Sequence, residues 1–328
     1  MVKEFLPLHG KKGLLFPVLR GSGHKALHCF ATGLRPPLRP GLGFLARKGS
    51  RGIFYGDKKC KKFYNKTMPE RNKSTQAIIL SVKQQGENNR SVCIVSPDRG
   101  VFYATLYGGA KSKMRSLVQP FNTGLIYLYE DEQRHFIKIS DFDVKSCHLS
   151  LHTDIYKMMA ANLASEILIK TKCAGDYAEA FKLFSAFLQG LELTQGFESR
   201  TGTIRFLWRY IRLLGLQPDV NTCSSCSALI STQASHGGTY IRHINGFACR
   251  DCTPSFSEGQ KFAKQEAPAL SSSSLFYLNA VNTMRPSTVR GMELSPQNET
   301  ELKNFLFMLI EQAVGSRLNS LETGSGIL

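Results

Sequence analysis

The sequence predicts an α+β protein: a small β-barrel at residues 73–149, then an α-helical domain at 150–328 carrying an inserted four-cysteine module at 221–254. Three observations predict it. Between Thr75 and Val144 about five short β-rich runs follow one another, separated by turn residues. Beyond His152 the apolar residues recur every three or four positions, the period of a helix packed on one side. Within the helical part, Cys223-Ser224-Ser225-Cys226 is answered after 22 intervening residues by Cys249-Arg250-Asp251-Cys252.

The first segment, residues 1–72, reads as a basic extension. Gly and Pro interrupt every candidate element ("GLRPPLRPGLGF"), so neither helical nor strand period persists and the segment is expected to be disordered. Of the formal charge of +17, residues 1–73 hold 17 Lys and Arg against three acidic groups, a net of +14. The rest of the chain is left with only +3, so the basic pI says little about what the folded body binds. Three readings of the extension stand: a polycationic arm for DNA phosphates, a targeting segment, or an over-extended reading frame with translation starting at Met68. The third is preferred, for a reason given below.

The barrel strands come next. "TQAIILSVKQ" and "RSVCIVSPDRGVFYATLYGG" are β-rich, and Ser96-Pro97-Asp98-Arg99-Gly100 within the second has proline to set φ and glycine for a left-handed position, the mark of a tight hairpin. "TGLIYLYEDEQRHFIKISDFDV" supplies two more strands around an acidic turn. The OB-fold is the smallest common barrel with this pattern, and an SH3-like barrel shares it. "GGAKSKMRS" brings Lys111, Lys113 and Arg115, which with Arg99 form the densest basic cluster of the body. OB barrels hold single strands on such a groove with aromatics for base stacking, here Phe102, Tyr103 and Tyr107. The plain alternative is a solvated loop, with about half of the aromatics turned into the barrel.

In the helical part, Thr153 is the expected cap of a helix with Ile155, Met159, Leu163 and Ile167 on one side. Tyr177, Phe181, Phe184, Leu188 and Leu191 form a second apolar stripe, read as packing surface. In "TGTIRFLWRYIRLLG", Ile204, Trp208 and Ile211 share a buried face, and Arg205, Arg209 and Arg212 a neighbouring one. That row suits a phosphate backbone or, equally, a solvated helix face. "SFSEGQKFAKQEAPALSSSS" is expected to be a polar connector. Two terminal helices follow, around Leu275–Met284 and around Leu302, Phe305, Leu306 and Leu309.

The two Cys-x-x-Cys knuckles can set four thiolates on a tetrahedron, the geometry of a closed structural Zn²⁺ site. Two disulfides or four unrelated thiols are the competing readings. His236 and His243 lie in the intervening loop and are read as ordinary loop histidines. With four sulfur ligands no position stays open for a water, so the metal would hold structure. Cys29, Cys60, Cys93, Cys147 and Cys173 are scattered and odd in number, which fits a reducing cytoplasm. Mean hydropathy is −0.18, no apolar run approaches the roughly 20 residues that span a bilayer, and no secretory signal is present. No phosphate loop ending in GK[ST], HxE deaminase motif, GxSxG or HExxH occurs. The residues give no support for catalysis.

From about Ser74 onward five pieces follow one another in a recognisable order: "TQAIILS", "DRGVFYATLYGGAKSKMRSLVQPFN", "LLGLQPDVNTCSSC", "NGFACRDC" and "LIEQAVGSRLNSLETG". In this colinear set the chain resembles the bacterial recombination mediator family RecO. In this family the chain starts shortly before the first barrel strand, which is why Met68 is taken as the beginning. The resemblance implies an OB domain, a helical domain and a zinc insertion with Cys223, Cys226, Cys249 and Cys252 as ligands. It implies a bacterial cytoplasmic protein, associated with the nucleoid and not with membrane. Such a protein binds single- and double-stranded DNA, anneals complementary strands, and acts with RecR to load RecA onto DNA covered by single-strand binding protein (SSB). Arg99, Lys111, Lys113 and Arg115 fall on the family's basic rim. Val101-Phe102-Tyr103 departs from it, since relatives often carry further basic residues there.

Overall fold

The computed structural model describes residues 71–109, 111–232, 236–257 and 268–328. The basic extension, apart from Arg71 and Asn72, and the start at Met68 lie outside the described residues. Five strands form the first part: β1 (Asn72–Gln85), β2 (Asn89–Ser96), β3 (Gly100–Leu106), then, after the one-turn helix α1 (Met114–Leu117), β4 (Thr123–Asp131) and β5 (Phe136–Ser146). They close in the order β1-β2-β3-β5-β4, with β3 and β5 running parallel. This is the five-stranded OB-like barrel the alternating pattern pointed to.

Alternation decides which side chains fill it. Ile79, Ile94, Ala104, Ile126 and Phe142 point inward and are almost fully buried. On the outer side of β1 and β2, Leu80, Cys93 and Val95 belong instead to the core of the helical domain. Gly100 turns the β2–β3 hairpin with φ +67°, and a Cβ there would stand 2.6 Å from the Tyr177 ring. Only glycine fits both the backbone and the gap.

The helical domain contains α2 (Ile155–Thr171), α3 (Tyr177–Leu193) and α4 (Gly196–Leu213). The cap of α2 is Asp154, which accepts from Lys157 N–H, and not Thr153, whose hydroxyl bonds Ser150 O. Ile155, expected on the apolar side of that helix, is exposed. The other positions of both stripes are buried or pack against the core, except that Tyr177 is half-open beside Gly100. Between α2 and α3 the chain makes a left-handed hook, with φ of 48° at Lys172, 60° at Cys173, 56° at Ala174 and 83° at Gly175. Three of these four residues carry a Cβ, a strained choice, and Cys173 is completely buried there.

After α4 come β6 (Gly238–Ile241), β7 (Gly246–Ala248), α5 (Thr253–Ser257) and β8 (Ala269–Leu270). The strands pair in the order β7-β6-β8, so the expected polar connector contributes a helical turn and an edge strand; its residues 258–267 lie outside the described residues. The chain ends in α6 (Ser272–Thr283), α7 (Pro286–Arg290), α8 (Pro296–Val314) and α9 (Asn319–Thr323). The small sheet is rooted in the helical core: Tyr240 and Phe247 lie 5.3 and 5.5 Å from the Phe305 ring of α8. Trp208, Phe184 and Phe305 are buried in the same core, each contributing roughly 1.5–3 kcal/mol.

Candidate nucleic-acid interface and metal centre

The outer face of the barrel is divided. One end packs on the helices; the other is open, and the register shows what it presents. Lys83 pairs with Ser91, Ser91 with Thr105, and Thr105 with Lys138, so these four form one row across β1, β2, β3 and β5. Their neighbours Val82, Val92, Ala104 and Ile139 fill the barrel, which turns the row outward. Tyr103 and Tyr107 leave the same side of the β3 segment and are 58% and 45% exposed. The Lys138 ammonium stands 5.7 Å from the Tyr107 ring centre, and Phe136 flanks it at 6.0 Å. Open rings bordered by cations can stack bases and neutralise phosphates. Phe102, the third aromatic candidate, packs against the barrel interior. Lys83 and Lys138 are absent from the basic cluster expected of the sequence; their outward parity in the two runs is the signal that could have found them.

The four cations of the expected basic cluster do different things. Lys111 and Lys113 are exposed on the segment that leaves β3 and form no ion pair among the described residues. Arg115 donates through Nε to Gly108 O at 3.1 Å and through Nη2 to Asn88 O at 3.3 Å. It therefore ties the lysine segment to the β1–β2 turn. Arg99 does not join them: it precedes β3 and they follow its end, and seven residues of strand separate them by roughly 23 Å. Its guanidinium pairs with Glu130 and lies 5.2 Å from the Phe102 ring centre. Glu130 also takes Lys73 at 2.7 Å. Burial alone would raise the Glu130 carboxyl, but the hydrogen bonds and charges of Lys73 and Arg99 outweigh it and hold it below its ordinary value.

The arginine row of α4 is also unequal. Arg212 is exposed and Arg209 partly buried, whereas Arg205 is buried. The Arg205 Nη1 group donates to Thr201 Oγ1 at 3.2 Å and to Tyr277 Oη at 3.1 Å. The helical period put all three on one side correctly, but α6 covers the first of them. Arg205 is thus a supporting residue and not a surface contact.

Four sulfurs gather where the knuckles meet. The Sγ atoms of Cys223, Cys226, Cys249 and Cys252 all lie within 4.8 Å of one another, with 3.7 Å between Cys226 and Cys249. A tetrahedron with metal–sulfur bonds of about 2.3 Å has edges of about 3.8 Å, so the donors fit a closed four-thiolate site. All four are free thiols, which removes the disulfide reading. No histidine belongs to the group among the described residues; His243 packs beside Phe256 at 6.0 Å.

The backbone builds each knuckle. Ser227, at φ 58°, returns the chain so that its N–H reaches Cys223 O at 2.9 Å. Thr253 donates N–H and hydroxyl to Cys249 O at 3.0 and 2.8 Å. Gly246 lets the two knuckles approach, since a Cβ there would meet the Ser224 hydroxyl well inside contact distance. Burial acts to raise the Cys223 thiol, yet N–H groups of Cys226, Cys249 and Ser225 draw it down to about 6. Hydrogen bonding with Cys249 pushes Cys252 up to about 12. The Cys223 thiolate is readily formed and Cys252 resists sharing its charge, a conflict that a divalent cation relieves.

Comparison with known proteins follows the same division. Residues 68–147 match the family model described as Recombination protein O N terminal, and residues 152–322 the one described as Recombination protein O C terminal. A protein named DNA repair protein RecO from Desulforamulus reducens is 25% identical over 249 residues, covering 75% of this chain and 91% of that protein. Its namesake from Solidesulfovibrio magneticus is 27% identical over 190 residues, 57% of this chain and 74% of that protein. That from Exiguobacterium sibiricum is 21% identical over 251 residues, covering 75% and 93%.

Proposed function

The chain belongs to the recombination protein O family, and on that premise we propose that it is a non-catalytic mediator of DNA repair and recombination. It binds single- and double-stranded DNA, anneals complementary strands, and with RecR loads RecA onto DNA covered by SSB. The observation that carries this reading is the open barrel face, where Tyr103 and Tyr107 lie exposed beside Lys83 and Lys138. A single strand lies along β3, its bases on the tyrosine rings and its phosphates on these lysines and on Lys111 and Lys113, which extend the track. Charge neutralisation lets a second strand approach, so annealing weakens steeply with salt. The four cysteines hold one Zn²⁺ that does no chemistry and keeps the β6–β7 hairpin in place.

The test is binding of a fluorescent oligonucleotide by the full chain and by residues 68–328. Stacking is worth about 1–3 kcal/mol per base, so Y103A/Y107A should weaken binding at least tenfold with little change in salt dependence. K83Q/K138Q and K111Q/K113Q should instead flatten the salt dependence, by about 0.7 in slope for each phosphate no longer neutralised. Full affinity in all three variants would refute the assignment. The near-neutral body favours one other reading, a zinc-containing scaffold with incidental DNA contact. Failure of residues 68–328 to bind at moderate salt would favour it.

A further inference from the structure

Three arginines share one side of α4, and the charge of a fourth, Arg290 of α7, bears on the middle one; among the described residues no acid pairs with any of them. Arg205, Arg209 and Arg212 follow one another at intervals of four and three along one side of α4, and Arg290 ends α7. α6 is tied to α4 and to the loop that follows it. Trp208 Nε1 donates to Leu278 O at 2.9 Å, and the Gln217 and Asn282 amides bond each other at 2.9 Å. Arg205, at the buried end, has among the described residues only the neutral hydroxyls of Thr201 and Tyr277 as partners. Among the described residues, the guanidinium groups of Arg209, Arg212 and Arg290 have neither a hydrogen bond nor an ion pair. Burial lowers the proton affinity of Arg209, and the charges of Arg205, Arg212 and Arg290 act in the same direction.

Such an arrangement is costly in isolation. A guanidinium offers five N–H donors, and a partly buried one without acceptors, among like charges, destabilises the fold. A bound polyanion would offset both costs. From Arg209 to Arg212 the helix advances three residues, roughly 4.5 Å, a little over one step of about 3.4 Å along one DNA strand. That spacing suits two neighbouring phosphates, with Arg290 as a third cation, and the arginine fork matches phosphate oxygens.

We infer that Arg209, Arg212 and Arg290, with Arg205 and Tyr277 supporting them from below, form a second phosphodiester track on the helical domain, separate from the barrel face. This rests on the reading of the protein as DNA-binding. It adds that one molecule holds two strands at once, one on β3 and one on α4, so that strand pairing needs no second copy.

The test uses the full chain, a labelled thymidine oligonucleotide, and energy transfer between two non-complementary strands carrying different dyes. Bridging of the two strands should fall at least tenfold in R209Q/R290Q, and the salt slope should drop by about 1.4, at about 0.7 per neutralised phosphate of a single strand. R209K/R290K, which keeps the charge, should restore most of the slope. Thermal melts identify misfolded variants, and R212Q, at an exposed position, provides a substitution without a packing effect and should lose part of the slope alone. Unchanged slope and bridging in R209Q/R290Q and R212Q would overturn the inference. Loss of binding to polyglutamate, with DNA binding intact, would also overturn it and assign the site to an acidic protein partner. If the unaltered protein bound no oligonucleotide, the DNA reading itself would fall first, a result distinguishable from either.

Discussion

Removing one hydroxyl tests how Arg205 is kept inside the helical domain. In Y277F the ring stays in place, 2% exposed, so no cavity opens. What is lost is one acceptor, 3.1 Å from Arg205 Nη1, leaving Thr201 Oγ1 at 3.2 Å as the remaining partner. A hydrogen bond to a charged group contributes about 1.5–3 kcal/mol, and an unsatisfied buried donor costs a similar amount. The expected loss is therefore about 2 kcal/mol, or roughly 4–8 °C for a folded body of this size. The assay is urea unfolding followed by the emission of Trp208, the only tryptophan in the chain and fully buried beside α6. R205M completes the cycle: in that background Y277F should cost less than about 0.5 kcal/mol, because the charge that needed the hydroxyl is gone. An equal cost in both backgrounds would refute the reasoning.

Three further outcomes are expected. C223S, at a position 1% exposed, should abolish stoichiometric zinc binding and lower stability by at least ~2 kcal/mol, since metal affinity is part of the folding energy; unchanged zinc content and melting would contradict the metal assignment. E130Q should cost about 1–2 kcal/mol at neutral pH, a figure reduced because Lys73 is 41% exposed. The folded-state pKa of Glu130 is depressed, so its contribution is present above the ordinary value of 4.5 and lost as pH falls through the lower folded value. Urea melts at successive pH values should show wild type and E130Q converging only on the acid side, and a constant difference would count against the ion pair. G100A should cost about 1–3 kcal/mol from backbone strain and from displacement of the Tyr177 ring, and less in a Y177A background; equal costs would show that the ring plays no part.

Much of this molecule is legible in its residues. Period 2 and the glycine at position 100 place the first strands and their hairpin, because alternation and positive φ are local properties. The cysteine pairs announce their cluster for the same reason: each knuckle is four residues long. What escapes is whatever depends on a third element. Arg205 reads as one of three surface arginines because nothing near it in the chain reveals that Tyr277 will cover it. Arg99 groups with Lys111 by closeness in sequence, although an extended strand is the structure that carries near neighbours furthest apart. Lys83 and Lys138 become one row only through two intervening strands, and the charge of Arg290 bears on Arg209 across 81 positions of sequence. The hook at Lys172–Gly175 leaves no signature, since Lys, Cys and Ala carry no preference for left-handed backbone.

That hook has a practical consequence for anyone who would divide or decorate the protein. A short link between two helices looks like a safe point for a tag, a cleavage sequence or a permuted terminus. Here Cys173 is sunk in the core and the hook lies against β3, so adding or deleting one residue would change the direction in which α3 leaves α2. Tyr177 would swing away from Gly100, and barrel and helices would lose the joint that fixes one on the other. The exposed Gly86–Glu87 turn, with nothing within 4 Å of a Cβ at Gly86, is the place to cut instead.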